Sequence, residues 1–362
     1  MSFNPNWVSI PGDTIKSILE FKGSNIIEFS EKINKPSSFI ENLIKGYVSI
    51  DNELAEALSE QLGFDKEFWL KREENYRTKL VELEKEWISN LPIRSMQKLG
   101  LLPLVNKDKI VNSCLHFFGV NTLDEWNKNY RNQISQFAFR KSPTFKTSPY
   151  SISVWFRQAE NFIKKIKVGN WDKVIFESKL SEIKLLTREK KPIVFIPQLI
   201  KLCAECGVYV AIVRGLEGNP ASGATKFING NPLIILSFRY LTDDHFWFTF
   251  FHEAGHLILH GEKKLWLELD SNINENEEYE ANLFAQACLI PHELENRLQY
   301  ISRNKRSIIK ISMDAQISPG ILIGQLQHRG FISKSYMNGY KRYYTKDSIN
   351  EAIHKVQEIF NH

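Results

Sequence analysis

The stretch "FHEAGHLILH", Phe251 to His260, decides how the second half of this 362-residue chain is read. Three histidines recur at four-residue intervals, His252, His256 and His260, and Glu253 follows the first directly. On an α-helix, positions i and i+4 share a face, so His252 and His256 can offer imidazole nitrogens to one ion from the same side. Glu253 is turned about 100° from His252, outside that pair but beside it. A borderline-soft ion such as Zn2+ takes neutral imidazole readily. A carboxylate next to the ion is where a base is needed to deprotonate water. The span from His252 to His260 is about 12 Å of helix rise, too far for all three histidines to close on one ion. His260 therefore reads as an outer partner of the site or as packing.

The surrounding sequence extends this reading in both directions. "DDHFWFTFFHEAGHLILHG" is a long helix with Asp243 or Asp244 as N-cap and Gly261 as stop. Before it, "VYVAIV", "ATKFI" and "NPLIILSF" are short β-rich runs between Gly, Asn and Pro turns, which predict a small sheet. A strand beside a metal can hold a peptide by strand addition, and "SGATKFINGNPLIILS" has the position for it. After the long helix, "ENEEYEANLFAQACLI" predicts a second helix that stops before Pro291.

A catalytic zinc needs a third protein ligand and one open position. The second helix offers Glu275, Glu277, Glu278 and Glu280. Glu278 stands out because Asn282, one turn later on the same face, can support it from outside the metal shell. Glu280 lies about 200° from Glu278 around the helix, so at most one of them points at the ion. Ala281 and Ala285 permit close packing against the histidine-bearing helix.

The front of the chain has a different character. "PGDTIKSILEFKG" places Ile15, Ile18 and Leu19 at helical spacing and stops at Gly23. Ser24 or Asn25 can cap "NIIEFSEKI", "NKP" turns the chain, and Ser37 and Ser38 offer a cap for "SFIENLIKG". "DNELAEALSEQLG" follows with Asp51 as cap and Gly63 as stop, and "DKEFWLKREENYRTKLVELEKEW" is a longer amphipathic helix.

Helix, tight turn, helix is the outline of a helix-turn-helix DNA reader. In it, "NIIEFSEKI" lies across the backbone and "SSFIENLIKG" enters the major groove. Lys35, Ser37, Ser38, Asn42 and Lys45 then face phosphates and base edges. The first 80 residues carry ten Lys/Arg against thirteen Asp/Glu, a net of −3. Phosphate contacts dominate affinity, so such a module needs a homodimer or a basic segment elsewhere to bind tightly. A five-helix protein-interaction module fits the same pattern.

Residues 297–346 supply a basic segment, with ten Lys/Arg and only Asp314 opposing them, a net of +9. That density suits nucleic acid, an acidic partner surface or a solvated face. Between the two ends, residues 90–205 read as amphipathic helices, with a linker or boundary near "RKSPTFKTSPYS" and Phe117, Phe118, Trp126, Trp155 and Phe156 as core. Four cysteines in 362 residues suit a reduced, cytoplasmic chain. The "CAEC" pair at Cys203 and Cys206 lacks a second pair to complete a structural zinc site. No basic leader followed by an apolar stretch opens the chain, and no apolar run reaches about 18 residues, so no signal peptide and no membrane span are expected.

Two of these stretches carry a family resemblance. "WFTFFHEAGHLILHG" followed by "EEYEANLFAQACLIP" resembles the ImmA/IrrE family of bacterial metallopeptidases. The front, through "LGFDKEFWL" at Leu62 to Leu70, is similar to the XRE-type helix-turn-helix of HigA-like antitoxins, although "SN" at Ser24 and Asn25 replaces their usual Gln. Fused members share segments like "LHFFGV", the SGAT strand and "ISPGILIGQLQHRG". The resemblance implies His252, His256 and Glu278 as zinc ligands and Glu253 as general base.

The expected fold is α+β and mostly helical: a helix-turn-helix domain over 1–80, a helical middle region over 81–185, and a zincin-like domain with a small sheet over 186–362. The expected function is a DNA-binding regulator that represses its own promoter and cuts itself, a partner repressor or a toxin encoded nearby. The rival is a non-enzymatic antitoxin-type repressor in which zinc only staples the fold and the C-terminal part binds a toxin.

Overall fold

The structure, a computed structural model, describes residues 9–130, 148–216, 221–261, 266–267, 275–299 and 305–360. The chain divides into two compact units, Met1–Arg131 and Asn132–His362. That division falls within the middle region 81–185, and residues 140–147 of the expected linker lie outside the described residues.

In the first unit, α1 (Pro11–Phe21), α2 (Ile26–Lys32), α3 (Ser37–Ile44), α4 (Asn52–Leu62) and α5 (Lys66–Asn90) surround one apolar core. Ile15, Phe29, Ile40, Leu54, Leu58 and Trp69 are its centre. The ends of these helices follow from local chemistry. Asn25 accepts the Glu28 N–H at 2.9 Å while the Glu28 carboxylate reaches back to the Asn25 N–H, a capping box at the start of α2. Asp51 and Asp65 cap α4 and α5 through the Leu54 and Phe68 N–H groups at 2.9 and 2.7 Å. Ser37 and Ser38 do not cap α3. The helix already begins at Ser37 behind an extended Pro36, and the Ser37 hydroxyl bonds Ser30 Oγ at 3.0 Å, tying α3 to α2.

The unit continues through α6 (Ile93–Lys98), α7 (Lys107–Phe118) and a helix over 123–130 (α8). There Trp87, Phe117, Phe118, Trp126 and Tyr130 pack ring on ring, as core.

The second unit contains α9 (Pro149–Ile163), α10 (Lys173–Leu185), α11 (Pro192–Glu205) and a mixed sheet in the order β1 (Tyr209–Ile212), β3 (Asn231–Leu236), β2 (Gly223–Ile228), β4 (Trp266–Leu267). β1 runs parallel to β3, and the other pairs are antiparallel. Asn229 and Gly230 join β2 to β3 with φ of +51° and +84°, the left-handed pair that a two-residue hairpin requires. Trp155 and Phe156 are fully buried on α9, and Cys203 and Cys206 are buried at the end of α11, where burial pushes both thiols up.

Two helices cross beside this sheet. α12 (Asp243–His260) packs on β2 and β3, and α13 (Glu275–Leu289) packs on α12. Then α14 (His292–Gln299), α15 (Lys305–Asp314), α16 (Pro319–His328) and α17 (Lys346–Phe360) complete the unit, α16 against α12 and α17 against α11.

The start of α12 departs from expectation. Thr242 occupies the cap position without a side-chain cap bond. Asp243 is buried inside the helix, where it accepts Ser318 Oγ–H at 2.6 Å and the Arg342 N–H at 2.9 Å. Asp244 pairs with Lys341 at 2.7 Å, also buried. The helix begins underneath α16 and residues 341–342, so its first acids serve those donors. Gly320 and Gly324 make room for them: a Cβ at either would stand within 2.7 Å of an aspartate oxygen.

In the first unit, a Cβ on Gly12 would meet the Ile44 carbonyl oxygen at 2.1 Å, backbone against backbone. Gly12→Ala must push α1 away from α3 and is expected to destabilise by about 1–3 kcal/mol. Ser17→Ala, exposed on the same helix, is the control and should leave the denaturation midpoint of the full chain unchanged. Equal midpoints for both variants would contradict the close approach.

Candidate metal centre

α12 and α13 bring three side chains to one point. His252 Nε2 and His256 Nε2 are 3.1 Å apart, and Glu278 places Oε2 3.2 Å from the first and Oε1 3.3 Å from the second. Their ligating atoms all lie within 4.8 Å of one another, and this is the only such group found among the described residues. The i, i+4 spacing aligns the two rings on α12, and the third donor crosses from α13 because the helices approach closely. A Cβ on Gly255 would lie 3.3 Å from Ala281 Cα, and Ala281 and Ala285 are fully buried in the contact.

The electrostatics favour a cation. Burial pushes His256 below the usual imidazole range, so its ring is kept neutral and able to donate a lone pair. Burial alone would raise the Glu278 carboxyl, but the two imidazoles beside it outweigh burial and hold the group at about 2. Two imidazoles and one carboxylate form the donor set of a three-ligand zinc site with a further position open. Glu278 keeps 29% of its side chain exposed, against 2% for each histidine, so the centre opens to solvent on the carboxylate side.

The surroundings hold these groups in place. His252 Nδ1–H donates to Asn282 Oδ1 at 3.1 Å. Asn282 thus supports a ring on α12, where its i+4 relation to Glu278 had suggested support of the carboxylate. His260 stays out of the triad, as helix rise requires: its Nδ1 is 3.2 Å from His256 Nδ1 and its Nε2 is 3.0 Å from Glu280 Oε2. Glu277 and Glu280 do not join the triad, and the Glu275 side chain lies outside the described residues.

Glu253 is buried on the sheet side of α12, where its Oε2 accepts the Thr225 hydroxyl at 2.7 Å. β2 starts with Gly223 for a steric reason. A Cβ there would come within 2.6 Å of Glu253 Oε1 and 2.5 Å of Thr249 Cγ2. Thr225 and Gly223 were legible only as parts of the SGAT strand. Their partner on α12 becomes visible once the sheet is in place. The strand-addition idea meets a constraint here, because the β2 edge at Ala224 and Thr225 is paired with β4.

On the first unit, Ser38 and Asn42 are exposed on α3 and Lys45 is exposed just past its end, at a spacing that shares one face. Lys45 stands 4.0 Å from Glu41. Ser37 is turned toward Ser30, and the Lys35 ammonium pairs with Glu53 at 3.1 Å. The basic segment of the second unit is partly committed internally. Arg297 pairs with Asp314 at 2.8 Å, Arg329 with Glu295, and Lys341 with Asp244. Arg342 donates to the Thr187 and Glu189 carbonyls at 2.9 Å. Arg303 lies outside the described residues. No described helix is long and apolar enough to cross a membrane.

Residues 213–322 match the family model of the M78 peptidases, described as an IrrE N-terminal-like domain. The matched stretch spans β2 and β3 and contains His252, Glu253, His256 and Glu278, so a metallopeptidase-type domain lies in the second unit. No match to the chain was found among curated proteins.

Replacing Asn282 with Ala removes the acceptor that orients His252. Support of this kind is worth roughly 10–100-fold in metal affinity. A competition titration of Zn2+ against a chromophoric chelator should show such a loss for Asn282→Ala at unchanged stability. Equal affinity would mean that the His252–Asn282 bond does not serve the metal.

Proposed function

We propose that the second unit is a zinc-dependent endopeptidase and that the first unit is a DNA reader. The chain would then be a regulator that binds its own promoter and cuts itself, a partner repressor or a toxin. The observation that carries the peptidase half is the convergence of His252, His256 and Glu278, with Glu253 next to His252 in sequence, buried and bonded by Thr225, within the stretch that matches the peptidase model. His252, His256 and Glu278 would hold a zinc ion, which would supply Lewis acidity toward water and a peptide carbonyl. Glu253 Oε1 and Oε2 form the general base, which takes the proton of the attacking water and returns it to the leaving amine nitrogen. Thr225 fixes the rotation of that carboxylate by donating to Oε2. Three protein donors with an open side favour a catalytic ion over a structural one, which is closed by four ligands.

The DNA half rests on five helices around a single core, with α2 and α3 joined by a short turn, Ser38 and Asn42 exposed on α3, and Lys45 exposed just past its end. Base readout by α3 and a homodimer to double the phosphate contacts are the arrangement consistent with its net of −3.

Two measurements test the halves separately. Purified wild type should carry about one zinc per chain and cleave either itself or the protein encoded beside it. Glu253→Gln should retain the zinc and lose turnover by roughly 10²–10⁴-fold, whereas His252→Ala should lose the metal. Identical fragments from wild type and Glu253→Gln, both zinc-loaded, would end the peptidase reading. For the DNA half, a gel shift with the chain's own promoter region should be sequence-dependent, salt-sensitive and weakened by Asn42→Ala, and the absence of any shift would end it.

A further inference from the structure

The two histidines of the triad are supported unequally. His252 Nδ1 meets a carboxamide oxygen, Asn282 Oδ1. His256 leans on a second imidazole, and that imidazole leans on a carboxylate. The order is His256 Nδ1, 3.2 Å, His260 Nδ1, then His260 Nε2, 3.0 Å, Glu280 Oε2. His260 is nearly buried, 7% exposed in its side chain, while Glu280 at the far end is 56% exposed.

Hydrogen-bond chemistry gives this row one consistent direction. His256 Nε2 is the atom that faces His252 Nε2 and Glu278. A histidine that ligates a metal through Nε2 keeps its lone pair there and carries its proton on Nδ1, so in the zinc reading His256 Nδ1–H donates to His260 Nδ1 at 3.2 Å. With Nδ1 accepting, His260 carries its proton on Nε2 and donates it to Glu280 Oε2 at 3.0 Å. Every link follows from the one before it, and the carboxylate of Glu280 ends the row.

We infer that His260 and Glu280 are positioning residues which set the tautomer of His256 and strengthen it as a metal ligand. The inference rests on the reading of the triad as a zinc site. Neither residue touches the ion. His260 is one helical turn beyond His256, so α12 places the rings side by side, and Glu280 comes from α13, two residues after the ligand Glu278. One helix pair thereby supplies the ligands and the outer partners of both rings. The carboxylate at the end of the row strengthens His256 as a donor through its Nδ1–H bond.

The test uses the full chain. Zinc affinity is measured by chelator competition, and 15N-labelled imidazole spectra of the zinc-loaded protein report which ring nitrogens carry protons. His260 in wild type should be neutral, protonated on Nε2 and unprotonated on Nδ1. His260→Ala should weaken zinc binding roughly 10–100-fold. His260→Gln should recover part of that loss, because its carboxamide oxygen can accept the His256 Nδ1 proton. Glu280→Gln keeps an acceptor oxygen but removes the charge, and should weaken zinc by a smaller factor while the His260 tautomer changes or becomes mixed.

Melting of the metal-free variants separates misfolding from a metal effect. A wild type that binds no zinc would overturn the zinc reading along with this inference. A wild type that binds zinc with His260 protonated on Nδ1, or a stable His260→Ala that binds zinc as wild type does, would overturn the inference alone.

Discussion

The centre depends on the close contact of two helices. His252 and His256 belong to α12 and Glu278 to α13, so the triad exists only if the axes come near enough for a carboxylate to reach across. Gly255, Ala281 and Ala285 set that distance, because each lacks the side chain that would hold the helices apart. The same contact brings Asn282 to His252 and Glu280 to His260. A bulkier residue at Gly255 would meet the Phe284 side chain and Ala281 Cα and move all of these bonds together. Packing and metal chemistry are therefore one constraint here.

Burying imidazoles and carboxylates is costly unless each is hydrogen-bonded. α12 carries Asp243, Asp244, His252, Glu253 and His256 through the interior of the second unit. Each meets a donor or acceptor from outside α12: Ser318 and Arg342, Lys341, Asn282, Thr225 and Glu278 in turn. The helix is thus anchored at its N-terminal end by α16 and residues 341–342, on one side by β2, and on another by α13. An anchored helix keeps its side chains in fixed rotamers, which is what a preorganised site needs.

Most of the elements were legible in the sequence because they are set by local chemistry. Asn25, Asp51, Asp65 and the Asn229–Gly230 turn behave as their residue types demand, and the stretches predicted as helix and strand around FHEAGHLILH form. The histidine pair was legible for the same reason, since i, i+4 spacing is a local rule; Glu278 was singled out by its relation to Asn282 and by the family resemblance. What could not be read involves partners distant in the chain. Ser37 reaches back to Ser30 in place of capping its helix, and Asp243 answers Ser318 and Arg342, 75 and 99 residues away. Asn282 looked like support for Glu278 on the helical wheel, yet it turns to a ring on α12. Thr225 and Glu280 acquire their partners only when a sheet and a second helix are laid against α12.

The same distinction applies to charge. A net of +9 over residues 297–346 counts every basic side chain as available to a polyanion. Counterion release depends on cations that neutralise phosphates, and a cation already paired inside the protein contributes little to it. Arg297, Arg329 and Lys341 are paired with Asp314, Glu295 and Asp244, and Arg342 is spent on two carbonyls. Two of these acids, Glu295 and Asp244, lie outside the basic stretch, so the sequence window missed their compensation. Lys305, Arg306, Lys310, Lys334 and Lys346 remain exposed. On the first unit the pairing of Lys35 with Glu53 removes another cation from the α2–α3 turn. The electrostatic case for DNA therefore narrows to a few residues, with Lys45 the basic member of the α3 row. Under the proposed DNA reading, recognition would depend more on base contacts from Ser38 and Asn42, repeated in a second copy of the unit, than on a field of positive charge.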